Sequence, residues 1–95
     1  MKVLVTVEIT KGFEAWSNMA CELQPVAAEY GIRTLWAGSD PEETRVYAVT
    51  EATDPENMRA FMARDDVAKK RTDAGARVET TEIISRIGKH WDFNV

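Results

Sequence analysis

The sequence has little of several residue types on which catalytic and cofactor sites depend, with one cysteine, one histidine and five glycines among 95 residues. The single cysteine, Cys21, excludes an intrachain disulfide and a metal site built from cysteines alone. The single histidine, His90, leaves no paired histidines and no H-E-x-x-H sequence, so a zinc site is not expected. No glycine-rich loop opens a helix, which removes the usual cradle for nucleotide phosphates. We therefore expect neither a metal nor a cofactor.

Basic residues are also scarce, since sixteen acidic residues against twelve basic ones give a net charge of −4. Nucleic acids and anionic membranes need a concentrated positive surface, so neither is expected as a partner. The densest basic run, Lys69–Arg71, follows Asp65 and Asp66 and is interpreted as charge at the end of a helix.

Long hydrophobic runs are missing as well. No stretch approaches the roughly 20 apolar residues of a membrane span. The opening segment "MKVLVTVEI" is too short for the hydrophobic region of a signal peptide and contains Glu8. Together with the single cysteine, this favours a cytoplasmic protein. The length predicts one domain over residues 1–95.

The residues that are present follow clear periodicities. "KVLVTVEI" places Val3, Val5, Val7 and Ile9 on one parity, which predicts a strand. Apolar residues then recur at steps of three and four over residues 13–30, which predicts an amphipathic helix.

Three residues are expected to shape that helix. Thr10 is a plausible N-cap. Pro25 lacks a backbone N–H and should kink or divide the helix. Gly31 is placed for a left-handed C-cap.

The rest of the chain predicts a hairpin, a helical region and a last strand. "RTLWAG" and "RVYAVTEA" flank the turn "SDPEET" and should pair antiparallel. "TDPENMRAFMAR" begins a helix with Asp54 as cap and Pro55 at its first position. "DDVAKKRTDAG" is a second short helical piece closed by Gly75, and "ARVETTEIISRI" is rich in residues that favour strands. The predicted order is β-α-β-β-α-β, with a C-terminal arm over residues 88–95.

Both faces of the predicted sheet carry apolar side chains. Two helices can cover one face of a four-stranded sheet, the one with the odd-numbered valines of the first strand. The other parity includes Leu4, and each later strand leaves one large apolar residue uncovered. An exposed apolar patch of this kind usually marks an interface, and a second copy across a two-fold axis is its simplest cover. We therefore expect a homodimer.

The same segments resemble a known superfamily. "MKVLVTVEI", "FEAWSNMACEL", "YGI", "VYAVTEATDPENMRAFM" and "DAGARVETTEI" are similar in order and apolar spacing to the dimeric α+β barrel proteins, over about residues 2–87. That superfamily includes antibiotic-biosynthesis monooxygenase-like proteins and small stress-responsive or uncharacterised barrel proteins. The resemblance implies an α+β fold with a ferredoxin-like protomer: a four-stranded antiparallel sheet, helices on one face, and two sheets joined in a barrel. It also implies a ligand pocket between sheet and helices.

Five residues are candidates for contact with a small apolar or aromatic ligand. Trp16, Trp36 and Tyr47 could stack on a flat molecule, although Trp16 lies on the helical stripe and is core by default. Trp36 and Tyr47 could instead form a cross-strand aromatic pair. Glu8 could act as a base in a dry pocket or lie at a strand end in water.

His90 is open to two interpretations. Histidine is a common general base, but "HWDFNV" reads more simply as an interface arm that packs Trp91 and Phe93, with His90 towards solvent.

The resemblance implies several activities and selects none. The leading hypothesis is a cofactor-independent monooxygenase acting on a flat aromatic or polyketide-like molecule. The alternatives are a non-catalytic ligand-binding or stress-associated dimer, and a cyclase or isomerase that uses the same pocket. The resemblance also implies that haem-degrading members rely on a histidine in the second helical region, and this region has none, so haem degradation is disfavoured.

Overall fold

A computed structural model of the chain describes residues 1–93. Its elements, in chain order, are β1 (Lys2–Ile9), α1 (Phe13–Glu29), β2 (Ile32–Ser39), β3 (Arg45–Ala52), α2 (Pro55–Met62), α3 (Asp65–Asp73) and β4 (Ala76–Ile87). This is the predicted order, with the second helical region present as two short helices. The last two residues of the expected C-terminal arm, 94 and 95, lie outside the described part.

The four strands form one antiparallel sheet in the order β2-β3-β1-β4, so β1 and β3 are central and β2 and β4 are edges. The three helices pack on one face of this sheet. The α+β, ferredoxin-like fold class is therefore confirmed.

In each strand, successive side chains project to opposite faces of the sheet, as the pleat of a strand requires. In β3, Val46, Ala48, Thr50 and Ala52 are all buried. Val7 lies opposite Val46, so the odd-numbered valines of β1 share the helix-covered face. This confirms the orientation predicted for β1.

Helix α1 is not divided at Pro25, so that part of the prediction is wrong. The helix continues for seventeen residues through the proline. Leu23 and Ala27, on either side, are both buried against the core, and this packing holds the two flanks in line although one backbone hydrogen bond is missing. The helix ends at Glu29, and Gly31, two residues later, has the predicted left-handed conformation with a φ of +70°.

The start of α1 also differs from the prediction. The Thr10 hydroxyl donates to the Gly75 carbonyl and accepts no N–H from the helix, whose N-cap is Gly12. The free N–H of Phe13 donates to the Glu43 carboxylate at 2.8 Å, and Glu43 lies in the turn between β2 and β3 with a φ of +56°. A side chain thirty residues away therefore replaces the expected local cap.

The predicted limits of α2 and α3 are confirmed. The Asp54 carboxylate accepts from the Asn57 N–H at 2.8 Å, and Pro55 is the first helical residue. Gly75 follows α3 with a φ of +94°, and a Cβ there would lie 2.8 Å from Lys11 Cβ, so only glycine fits.

A bulge in β2 decides which way Trp36 points. Thr34 lies opposite Thr50 on the helix-covered face, whereas Trp36 lies opposite Val49, with Leu35 as the extra residue. Because Thr50 and Val49 project to opposite faces, Trp36 projects to the face that has no helices.

That uncovered face, which we call the open face, consists of Leu4, Trp36, Tyr47 and Val49 with the polar residues beside them. Trp36 is 60% exposed and Tyr47 is 38% exposed. The tail after β4 has no regular structure over residues 88–93, and Trp91 and Phe93 are 76% and 82% exposed. No helix among the described residues is long and apolar enough to cross a membrane.

Candidate functional site

A cavity of about 510 Å³ lies between the helix-covered face of the sheet and the helices. This is within the usual range for small-molecule sites. Its walls are mainly aliphatic and aromatic, among them Val5, Trp16, Leu23, Ala48, Phe61 and Met62. The cavity is thus where the fold leaves room for a ligand.

The packing of β1 shows why the cavity exists. Val3 and Val7 are buried, but Val5 between them is only half-buried, although it lies in a central strand and faces the helices. The residues near it on both walls include Ala20 of α1 and Ala48 of β3. These small side chains leave the gap between helices and sheet unfilled.

The polar part of the wall consists of hydroxyls, one amide and three guanidinium groups. The arginines are Arg59, Arg71 and Arg86, and no aspartate or glutamate lines the cavity in the described residues. In a chain with a net charge of −4, the cavity is therefore locally cationic.

Arg71 is the buried member of the three. It lies on α3, is 8% exposed, and its Nη2 donates to the Thr81 hydroxyl of β4 at 2.6 Å. Burial lowers the pKa of the Arg71 guanidinium. Arginine starts from so high a pKa that the group stays protonated at neutral pH.

Among the predicted site residues, Trp16 lies in the cavity wall. Its ring stacks on Phe13 with centroids 5.9 Å apart, and it also contacts both halves of the core. Trp36 and Tyr47 project from the open face, outside the cavity wall. Their predicted contact with a ligand in this cavity has no support in the geometry.

Glu8 and His90 also lie away from the cavity. The Glu8 carboxylate, near the end of β1, accepts from Arg45 at 3.1 Å and from Arg77 at 2.7 Å. His90 Nε2 lies 3.0 Å from Lys2 Nζ at the surface. Whether either takes part in a reaction stays a prediction.

Arg71 is the residue that sequence reasoning missed. The basic run was interpreted as helix-end charge, and Lys70 and Arg71 do lie in the last turn of α3, but Arg71 is buried and not solvated. Arg71 follows Val67 by four residues, which places both on one helix face, and Val67 is fully buried. That spacing was the feature of the sequence from which the burial of Arg71 could have been predicted.

No group of three or more His, Cys, Asp or Glu side chains within the described part of the chain is placed to hold a metal ion. Cys21 is exposed on α1.

No protein-family model matches the chain, and no curated protein matches it. Among solved structures, the chain is similar to one from Deinococcus radiodurans whose proposed identity is an antibiotic biosynthesis monooxygenase. The two share 12% identity with a TM-score of 0.49, over 100% of this chain and 98% of that chain. A likeness of this degree carries no information about activity or ligand.

Proposed function

We propose that this protein binds a small, largely apolar molecule, with flat aromatic compounds as the leading class. The observation that carries the proposal is the cavity of about 510 Å³, whose wall includes Trp16 and Phe61 and in which Val5 stays half-buried. A valine that stays half-exposed in a central strand, on the face that the helices cover, marks space that a ligand would fill.

Binding is favoured over catalysis by the composition of the wall. No residue lining the cavity in residues 1–93 is an Asp, Glu, His, Cys, Lys or Tyr. General acid–base chemistry uses these side chains, so a cyclase or isomerase lacks its base here.

Cofactor-independent oxygenation of a flat aromatic or polyketide-like substrate is the second candidate. It is favoured by Trp16 in the wall, on which a planar ring can stack, and by Arg71, whose charge would stabilise a phenolate or enolate. Oxygen uptake with polycyclic phenols, measured against buffer with an oxygen electrode, distinguishes this activity from binding alone.

The binding proposal is tested by filling the cavity. Ala20, on the cavity side of α1, is replaced with phenylalanine, and Ala28, exposed on the same helix, is replaced likewise as the matched control. Calorimetric titration with 2-naphthoate and with 2-naphthamide should show binding to the wild type and to Ala28→Phe. It should show at least tenfold weaker binding to Ala20→Phe. If neither compound binds the wild type, or Ala20→Phe binds equally well, the cavity is not the site.

We also propose that the protein is a homodimer in which a second copy covers the open face. Support comes from the exposed Trp36 and Tyr47, which lie beside Leu4 and Val49. Together they form an exposed apolar patch of the kind that marks a protein interface. A cytoplasmic location stays a prediction.

A further inference from the structure

Arg71 is the one charged residue among the described residues that is buried. The Thr81 hydroxyl accepts from its Nη2, and Val67, one turn earlier on α3, is fully buried. A buried charge is expensive unless an opposite charge or several hydrogen bonds compensate it. Thr81 supplies one hydrogen bond and no charge.

The other arginines show how this chain treats a guanidinium. Five of the seven lie 2.7–3.2 Å from a carboxylate oxygen: Arg33, Arg45, Arg59, Arg64 and Arg77. Within residues 1–93, Arg71 and Arg86 have no such partner, and both line the cavity. Arg86 is exposed and can be solvated, with its Nη2 on the Met1 sulfur. Arg71 is the one for which water is scarce.

Arg71 lines the cavity, so its side chain borders that space. Every buried side-chain nitrogen or oxygen in the described residues has a hydrogen-bond partner. The Arg71 nitrogens that do not bond Thr81 therefore keep some accessible surface, and because Arg71 lines the cavity, a molecule there can reach them. Two adjacent guanidinium N–H groups match the two oxygens of a carboxylate.

We propose that the ligand of this cavity carries a carboxylate that pairs with Arg71, while its apolar body extends along the wall formed by Val5, Leu23 and Phe61. The inference rests on the ligand-binding role proposed above and specifies the chemistry of the ligand. One buried guanidinium balances one negative charge, so a monocarboxylate fits better than a dianionic phosphate, which would bring surplus charge into an apolar space.

The test compares 2-naphthoate with 2-naphthamide, which has nearly the same shape and no charge. Hydrogen bonds to a charged group contribute about 1.5–3 kcal/mol, so wild-type protein should bind naphthoate about 10- to 100-fold more tightly by calorimetry. In Arg71→Gln that preference should disappear. In Arg33→Gln, the same change at an exposed arginine outside the cavity, the preference should remain.

The outcomes separate the two proposals. Equal binding of both compounds to the wild type would contradict the proposal that the ligand carries a carboxylate, but not the proposal that the cavity binds a ligand. Binding of neither would overturn the binding role itself. If Arg71→Gln fails to fold, the wild-type comparison still decides, and Arg71→Lys, which keeps the charge but loses the paired N–H groups, should retain part of the preference. A preference that survives unchanged in a folded Arg71→Gln would contradict the role of Arg71.

Discussion

The two faces of the sheet are incomplete in different ways. The helix-covered face has its covering layer, but α1 and α2 do not reach the centre of β1, and a cavity with a buried cation remains. The open face has no covering layer, and its aromatic side chains project into solvent. A missing volume inside one protomer calls for a small molecule, whereas a missing layer calls for another protein surface. The two proposals therefore concern different faces, the ligand the covered face and the second copy the open face.

The largest effect should come from Phe61, which is buried on the covered face and lines the cavity. Phe61→Ala should lower the free energy of unfolding by about 3 kcal/mol, the lower end for such truncations because the ring already borders empty space. Urea titration measures this. The loss should be the same at low and high protein concentration, since the contact lies within one protomer. A loss that varies with protein concentration would place Phe61 at an interface between copies. It would then contradict the view that only the open face needs a protein partner.

The next effect concerns the open face. Wild-type protein at micromolar concentration should scatter light as a particle of about twice 10.7 kDa. Trp36→Glu should raise the dimer dissociation constant about 30-fold, because an anchoring aromatic is lost and a charge enters the interface. Ala28→Glu, exposed on α1, is the control and should leave the mass unchanged. If the wild-type protein is a monomer, the proposal that a second copy covers the open face is wrong.

A smaller effect is expected from the tail. Deleting residues 90–95 should weaken the dimer by about 1–3 kcal/mol, as burial of Trp91 or Phe93 would contribute. Sedimentation equilibrium measures the change. His90→Ala should do little, because its contacts with Lys2 and the Gly88 carbonyl are at the surface. If His90→Ala instead removed an activity and left the dimer intact, the tail would be part of a catalytic site.

The smallest effect should come from a turn that belongs to neither face. The Thr44 hydroxyl, with the N–H groups of Thr44 and Arg45, lowers the pKa of Asp40. A folded-state pKa below the unfolded one adds stability above the ordinary value of about 4, and that stability is lost as pH falls through the lower folded value.

Asp40→Asn should therefore be less stable than wild type at pH 7, and the difference should shrink below about pH 4. Thermal unfolding across that range checks the sign. Naphthoate binding and dimer mass should not change. A difference that grows on acidification would contradict the assignment.

Local signals predicted the elements well because the forces behind them are local. The alternation in β1 and the Asp54-Pro55 start of α2 depend on neighbours within a few residues, and both are present as predicted. The bulge at Leu35 left no such signal, because it arises from pairing with β3, and it turned Trp36 away from the cavity.

The cavity was harder to predict for the same reason. Its location between sheet and helices could be predicted from the fold, and the inward position of Trp16 from the apolar stripe of the first helix. Arg71 is buried beside Thr81, which lies ten residues along the chain in another element, so the basic run alone predicted a solvated side chain.

Glu43 links the turn between β2 and β3 to the start of α1. Its backbone has a φ of +56°, a conformation that a non-glycine residue adopts only when its surroundings hold it. Its carboxylate in turn holds the first free N–H of α1, at Phe13. The hydrogen bond at the start of α1 therefore needs the turn to be closed, and opening of the turn would release the Phe13 N–H. We expect the Phe13 amide to exchange with deuterium at the rate at which that turn opens.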